Sequence, residues 1–176
     1  MRRLALIAAL ASLIAPEAAM AQQRACITPP EAEAMTLVAM PDILRETGRV
    51  CGARLPANSL IRGNGTLISK YEASADQAWP TARAAIVKLS DPTVDTLLQS
   101  DYARPLLTSL LVPFIVGRIG LEDCGTIDRL VTQLAPLPPR NMAAVIVTAL
   151  QYLKSEKARG RQVAVPDLPL CPNGNR

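Results

Sequence analysis

The feature that most constrains the fold is a helical spacing of apolar residues that recurs along the chain. The clearest example covers three turns with the i, i+3, i+4 pattern: Met142, Val145, Ile146, Ala149, Leu150 and Leu153. No segment alternates apolar and polar residues over the length of a strand, and no turn motif joins two β-rich runs. The sequence therefore predicts an all-α fold, a single-domain irregular bundle of about six helices.

Local signals predict where the longer helices begin and break. Thr28-Pro29-Pro30-Glu31 is a capping box with proline at the first helical position, so a helix begins there. Pro41 lacks an amide and disfavours helix in the residue before it, which predicts a break before the helix resumes until Gly48. A second helix is predicted from Thr66, with a similar interruption near Trp79-Pro80.

Two shorter helices and a tail complete the predicted architecture. Asp91 is a candidate cap for one short helix, and Asp123 lies where the amino end of another favours negative charge. Residues 163–176 contain three prolines and no periodic pattern. We predict a helical domain over residues 22–162 and an extended tail over 163–176 that is tied down at Cys171.

The first 21 residues have the three zones of a cleaved signal peptide. Arg2 and Arg3 precede an uncharged run from Leu4 to Ala15, and small residues follow at Ala19-Met20-Ala21. The apolar run is shorter than the roughly 20 residues that span a bilayer. We expect cleavage after Ala21 and a mature chain that is periplasmic or secreted.

The four cysteines, Cys26, Cys51, Cys124 and Cys171, all follow the predicted cleavage point, and an even number in an exported chain predicts disulfides. Four cysteines allow three pairings. A straight helix from Pro29 to Val50 would hold Cys26 and Cys51 about 33 Å apart, far beyond disulfide reach. The predicted break at Pro41 removes that obstacle, so we predict Cys26 with Cys51 and Cys124 with Cys171.

The segment from Pro105 to Ile119 is the most apolar part of the chain after the signal sequence. Thirteen uncharged residues lie between Arg104 and Arg118, which as a helix reach about 20 Å against a hydrocarbon thickness of roughly 30 Å. We therefore predict no transmembrane segment in the mature chain and a central core helix that is buried on most sides. Leu111→Asp should then cost several kcal/mol. A ligand cavity beside Pro113 is the alternative, although closely packed interiors are the rule.

The chain contains no histidine. This excludes Ser-His-Asp and Cys-His catalytic sites, histidine-ligated metals and histidine proton shuttles. No glycine-rich phosphate loop follows a strand pattern, and the cysteines are not spaced like zinc or haem ligands. We therefore predict no catalytic, cofactor-binding or metal-binding residue.

Carboxylate chemistry is the alternative enzymatic interpretation. A glycosidase needs one acid of raised pKa and an ionised partner, for which three pairs are available: Glu72 with Asp76, Asp91 with Asp95, and Glu122 with Asp123. Each pair also has a structural explanation as an exposed helix face, a cap or a helix start. The chain has only one Trp, three Tyr and one Phe, whereas sugar sites usually present several aromatic faces.

Two surface features indicate possible partners. Tyr71, Asp76 and Trp79 form the one polar and aromatic cluster at helical spacing, which fits either a partner surface or a half-buried edge of the core. A basic segment over residues 154–161 fits a solvated helix end better than a site for anionic lipid or glycan.

These features favour an exported protein that acts by binding, such as an inhibitor, an immunity-like protein or an envelope assembly factor. We expect its partner to be another envelope protein or a small apolar ligand, and no nucleic acid. A carboxylate-dependent hydrolase of the cell envelope is the alternative. No cofactor is predicted.

Overall fold

The computed structural model describes residues 26–63, 65–91 and 93–171. These residues form six helices: α1 Pro29–Cys51, α2 Thr66–Leu89, α3 Val94–Leu98, α4 Ala103–Val116, α5 Cys124–Leu134 and α6 Pro139–Ala158. Beyond the helices, the described residues contain one isolated parallel β-bridge, between Ile27 and Leu170. The predicted all-α class and helix number are confirmed. The predicted signal sequence, its cleavage point and Gln22 lie outside the described residues.

Helices α1 and α2 form an antiparallel pair, with a charged contact where α1 begins and α2 ends. Near the start of α1, the Thr28 amide donates to the Glu31 carboxylate at 2.8 Å, as the predicted capping box requires, and the Thr28 hydroxyl donates to the same carboxylate at 2.8 Å. The Lys88 ammonium at the end of α2 donates to the same carboxylate at 2.5 Å. Burial alone would raise the pKa of Glu31, but the hydrogen bonds from Lys88 and Thr28 outweigh it and hold that pKa below its usual value.

The predicted breaks at Pro41 and Pro80 are wrong, because α1 and α2 each continue through their internal proline. An internal proline removes one backbone hydrogen bond and costs about 3 kcal/mol. Pro41 is itself fully buried. Packing along the whole length of α1 and α2 offsets this local penalty. Such packing depends on residues that are distant in the chain, so the residues next to the proline do not predict it.

The disulfide pairing departs from the prediction for the same reason. Cys26 is bonded to Cys171, with a Cα–Cα distance of 4.9 Å, and Cys51 is bonded to Cys124, with a Cα–Cα distance of 5.5 Å. The predicted pairs, Cys26 with Cys51 and Cys124 with Cys171, are therefore wrong. Uninterrupted α1 separates Cys26 from Cys51 by roughly 34 Å at 1.5 Å per residue, so each must bond to a distant part of the chain.

The C-terminal tail is irregular and extended over the described residues 163–171, as predicted. The Ile27 amide donates to the Pro169 carbonyl at 2.7 Å, and the Cys171 amide donates to the Ile27 carbonyl at 2.8 Å. The Lys154 ammonium of α6 donates to the Leu168 carbonyl. Together with the Cys26–Cys171 disulfide, these bonds hold the tail against the start of α1.

The centre of the molecule is filled by α1, α2 and α6, which meet through small side chains. Ala34 of α1, Ala78 and Ala82 of α2 and Ala143 of α6 share one buried cluster. Small residues let helix backbones approach closely. A larger cluster surrounds the fully buried Cys51–Cys124 disulfide. No described residue of α4 belongs to either of these two clusters.

Helix α4 therefore lies at the side of the bundle, and its prediction as a central core helix is wrong. It packs mainly on α1 through buried Thr108, Val112 and Val116. Leu106 and Ile115, by contrast, are 61% and 50% exposed. No helix among the described residues is both long and apolar enough to cross a membrane.

Helix α5 is attached to the bundle at its two ends. At its start, Cys124 is fully buried in the disulfide to Cys51. Beyond its end, the Lys70 ammonium of α2 donates to the carbonyls of Ala135 and Leu137 at 3.0 and 2.8 Å. A cation at this position also complements the negative end of the helix dipole.

Candidate binding groove

The three residues of the predicted partner surface lie in two different environments. Tyr71 is 3% exposed and belongs to the cluster around the Cys51–Cys124 disulfide, where burial raises the pKa of its hydroxyl. Trp79 is half-buried and packs against the alanine-rich cluster, and Asp76 is exposed. Tyr71 thus offers no surface to a partner, whereas Asp76 and Trp79 remain candidates.

Trp79 lies on the wall of a groove of about 840 Å³ in the described part of the chain. Four segments form this groove: the second half of α1, the middle of α2, the α3–α4 connection and α4. Its lining residues are Asp42, Arg45, Glu46, Trp79, Arg83, Leu98, Gln99, Ser100, Asp101, Arg104, Pro105, Thr108, Ser109, Val112 and Pro113. Pro113, beside which the sequence allowed a ligand cavity, is one of the residues that line this open groove.

Ion pairs between helices hold the arginines of the groove. Each of the three pairs with a carboxylate of another helix: Arg45 with Glu72, Arg83 with Asp95, and Arg104 with Asp76. Arg45 also contacts Asp42 at 2.5 Å, and Arg83 contacts Asp95 through both Nε at 3.0 Å and a terminal nitrogen at 2.9 Å. Paired contacts of this kind restrict the guanidinium to one orientation.

The charges that line the groove are balanced. This balance refers to the lining residues alone: three arginines and the three acids Asp42, Glu46 and Asp101. The carboxylates of other helices that pair with the arginines lie outside this lining. Hydroxyl groups of Ser100, Thr108 and Ser109 are interspersed with the apolar side chains of Trp79 and Val112. The groove can therefore accept a ligand that carries both charges and apolar groups.

Five of the six carboxylates considered for catalysis have structural partners: Glu72, Asp76, Asp91, Asp95 and Asp123. Glu72, Asp76 and Asp95 hold the arginines of the groove. Asp91 accepts from the amide and the hydroxyl of Thr93 at 2.9 and 2.7 Å, and these two bonds lower the pKa of Asp91. Asp123 accepts from the amide of Gly120 at 3.3 Å.

The pKa of Glu46, which lies in the wall of the groove, is shifted in the opposite direction to the pKa of a general acid. A hydrogen bond from Arg49 lowers the pKa of Glu46, whereas an acid that protonates a leaving group near neutral pH needs a raised pKa. The described residues also contain no group of three carboxylates or cysteines placed to hold a metal ion.

A second, smaller concavity of about 720 Å³ lies between the loop at Pro56–Leu60 and α5. The Ser59 hydroxyl donates to the Asp128 carboxylate across it at 2.5 Å. Its lining contains no aromatic side chain, and its apolar surface is smaller than that of the groove around Trp79. It therefore offers less apolar contact than the groove around Trp79.

The basic segment at the end of α6 is partly neutralised. Glu156 is 7% exposed and accepts from Arg159 at 2.9 Å and from Arg161 at 2.7 Å, while both arginines remain largely exposed. This arrangement fits the interpretation of a solvated helix end.

Sequence reasoning singled out Trp79 but missed the arginines that share its groove. Arg45 and Glu72 are 27 residues apart, and Arg104 and Asp76 are 28 apart, so neither pair leaves a pattern at helical spacing. Comparison of the chain with models of protein families, with curated proteins and with solved structures finds no match.

Proposed function

We propose that this chain is an exported binding protein whose groove between α1, α2 and α4 accepts a segment of another polypeptide. The observation that carries the proposal is the juxtaposition of half-buried Trp79 with three arginines that are already held in place by ion pairs. Aromatic and arginine side chains dominate the energetics of protein interfaces, and prior orientation lowers the entropic cost of binding.

The dimensions of the groove suit a short stretch of polypeptide. Its volume of about 840 Å³ is in the range of ligand sites, which extends from roughly 300 to 1,000 Å³. The α4 wall from Arg104 to Pro113 is about 14 Å long at 1.5 Å per residue, which equals about four residues of extended chain. The partner segment would therefore be short.

The lining favours a polypeptide over the small apolar ligand that the sequence also suggested. Six ionisable side chains line the groove, and a purely apolar ligand would desolvate them without giving hydrogen bonds in return. A polypeptide brings backbone donors and acceptors together with side chains of both signs. Export is supported by the two disulfides and by the signal-like pattern of residues 1–21.

A carboxylate-dependent hydrolase lacks comparable support. Glu72, Asp76 and Asp95 serve as ion-pair partners, and the pKa of Asp91 lies below its usual value because Thr93 donates to it. If the hydrolase interpretation were right, alanine at one or two acids would abolish an activity that other acids leave unchanged.

The test uses a random hexapeptide library displayed on phage and selected on the purified chain. Affinities of the selected peptides follow from the fluorescence of Trp79, which is the one tryptophan of the chain. Ser109→Tyr places a large side chain in the groove from an exposed position and should weaken binding at least tenfold.

The matched control is Thr148→Tyr, an equal enlargement on the exposed surface of α6, which should leave the affinity within about twofold. Peptides that bind Ser109→Tyr as tightly as the unmodified chain, or a library that yields no binder, would refute the groove as a polypeptide site.

A further inference from the structure

The Arg45 guanidinium, which lines the groove between α1, α2 and α4, is shared by two carboxylates. One of its terminal nitrogens donates to Asp42 at 2.5 Å, and the other donates to Glu72 of α2. One positive charge thus contacts two negative charges, and this group of three side chains, the Arg45 cluster, keeps one net negative charge. Its members Arg45, Asp42 and Glu72 are 37%, 38% and 45% exposed, so the cluster acts on a ligand in the groove.

The other two arginines of the groove add no net positive charge. Arg83 pairs with Asp95, and Arg104 pairs with Asp76, one cation with one anion in each case. A partner carboxylate that approached either guanidinium would also approach the carboxylate that already contacts it, and like charges brought together at an interface are unfavourable. The groove therefore disfavours an acidic partner at both positions.

Two further acids line the groove, and one of them has no cationic partner. Glu46 pairs with Arg49, which lies outside the lining. Asp101, in the α3–α4 connection, is exposed and takes part in no ion pair within the described residues. With every ion pair counted, two net negative charges remain at the groove: one on the Arg45 cluster and one on Asp101.

We propose that the polypeptide segment bound in this groove is basic and places lysine or arginine side chains against Asp101 and the Arg45 cluster. This inference rests on the proposed function and adds the charge of the partner to it. Trp79 favours the same choice, because an indole ring attracts ammonium and guanidinium groups. The full sequence has a formal net charge of +4, so overall charge would repel a basic segment and the attraction must be local to the groove.

Selection of the hexapeptide library on the chain tests the charge of the partner. The selected peptides should contain more lysine and arginine than the starting library, and their affinity should fall at least about fivefold between 20 and 300 mM NaCl. Asp101→Lys should weaken these peptides about tenfold or more. The matched control is Asp167→Lys, which makes the same change of net charge at an exposed position of the tail and should leave the affinity within about twofold. Circular dichroism checks that both variants are folded.

The outcomes separate the charge of the partner from the existence of the site. Selected peptides that lose affinity on Ser109→Tyr but show no excess of lysine and arginine would overturn the basic partner and leave the groove as a polypeptide site. Equal losses of affinity with Asp101→Lys and Asp167→Lys would overturn it as well, because the preference would then not come from the groove. A library that yields no binder would refute the proposed function itself, and this inference with it.

Discussion

Gly48 is the position where one methyl group should have the largest effect on stability. It is buried in α1, directly beneath the loop that carries Ile61. A Cβ atom at Gly48 would lie 1.9 Å from the backbone carbonyl oxygen of Ile61, where real Cβ contacts shorter than 3.0 Å essentially never occur. Since the obstacle is backbone, Gly48→Ala requires α1 and the loop to move apart by about 1 Å.

The expected loss is the balance of two terms. Overpacking of a well-packed site costs roughly 1 to 3 kcal/mol. Alanine is favoured over glycine inside a helix by roughly 0.5 to 1 kcal/mol, which offsets part of that cost. Ile61 is 1% exposed in the main core, so its displacement also disturbs the packing around the Cys51–Cys124 disulfide. We expect a net loss of about 1 to 2 kcal/mol, or a fall in Tm of about 2 to 8 °C.

Gly125 supplies the matched control for this substitution. It lies in α5, and nothing lies within 4 Å of a Cβ atom built there. Gly125→Ala therefore keeps the helical gain without the clash and should raise Tm by about 1 to 4 °C. Thermal unfolding followed by circular dichroism at 222 nm compares the two variants. If Gly48→Ala melts at or above the temperature of the unmodified chain, the close approach of α1 and the loop is wrong.

Three further predictions concern burial, disulfides and pH. Val112→Asp should cost several kcal/mol because Val112 is 4% exposed, whereas Leu111→Asp should cost less than about 1 kcal/mol; equal losses in Tm would contradict the orientation of α4. Mild reductant should open the half-exposed disulfide between Cys26 and Cys171 before the fully buried one, so mass spectrometry after alkylation should first find two modified cysteines and not four. Because the pKa of Glu31 is lowered in the folded state, its contribution to stability is complete above about pH 4.5 and is lost as the pH falls through the lowered pKa. Glu31→Gln should therefore reduce the fall in Tm between neutral and acid pH. If Tm falls as much at acid pH in the variant as in the unmodified chain, the Glu31 contacts are wrong.

The candidate groove could be predicted only in part. Trp79 and Asp76 were predicted to form a partner surface because they are close in sequence on one helix, and Trp79 does line the groove. Tyr71 shares their spacing but faces the core, since a helix that packs against both α1 and the loop after it buries more than one side. The arginines of the groove come from three separate helices, so no local pattern connects them.

The sequence by itself determined the helical class, the starts of α1 and α2 and the bonded state of the cysteines. These properties depend on interactions within a few residues, such as the capping box at Thr28 and the apolar spacing after Met142. An even number of cysteines behind a signal-like segment predicts disulfides without any knowledge of the fold, and all four are bonded.

Only the tertiary structure decided the cysteine pairs, the continuity of α1 through Pro41 and the position of α4. A proline penalty of about 3 kcal/mol is local, but the packing that offsets it comes from residues far away in the chain. The hydrophobicity of α4 likewise indicates that burial of its side chains is favourable, but it does not indicate which element of the fold covers them. Because the buried clusters that α1, α2 and α6 share contain no described residue of α4, this helix packs on the side of α1 and leaves much of its apolar surface exposed.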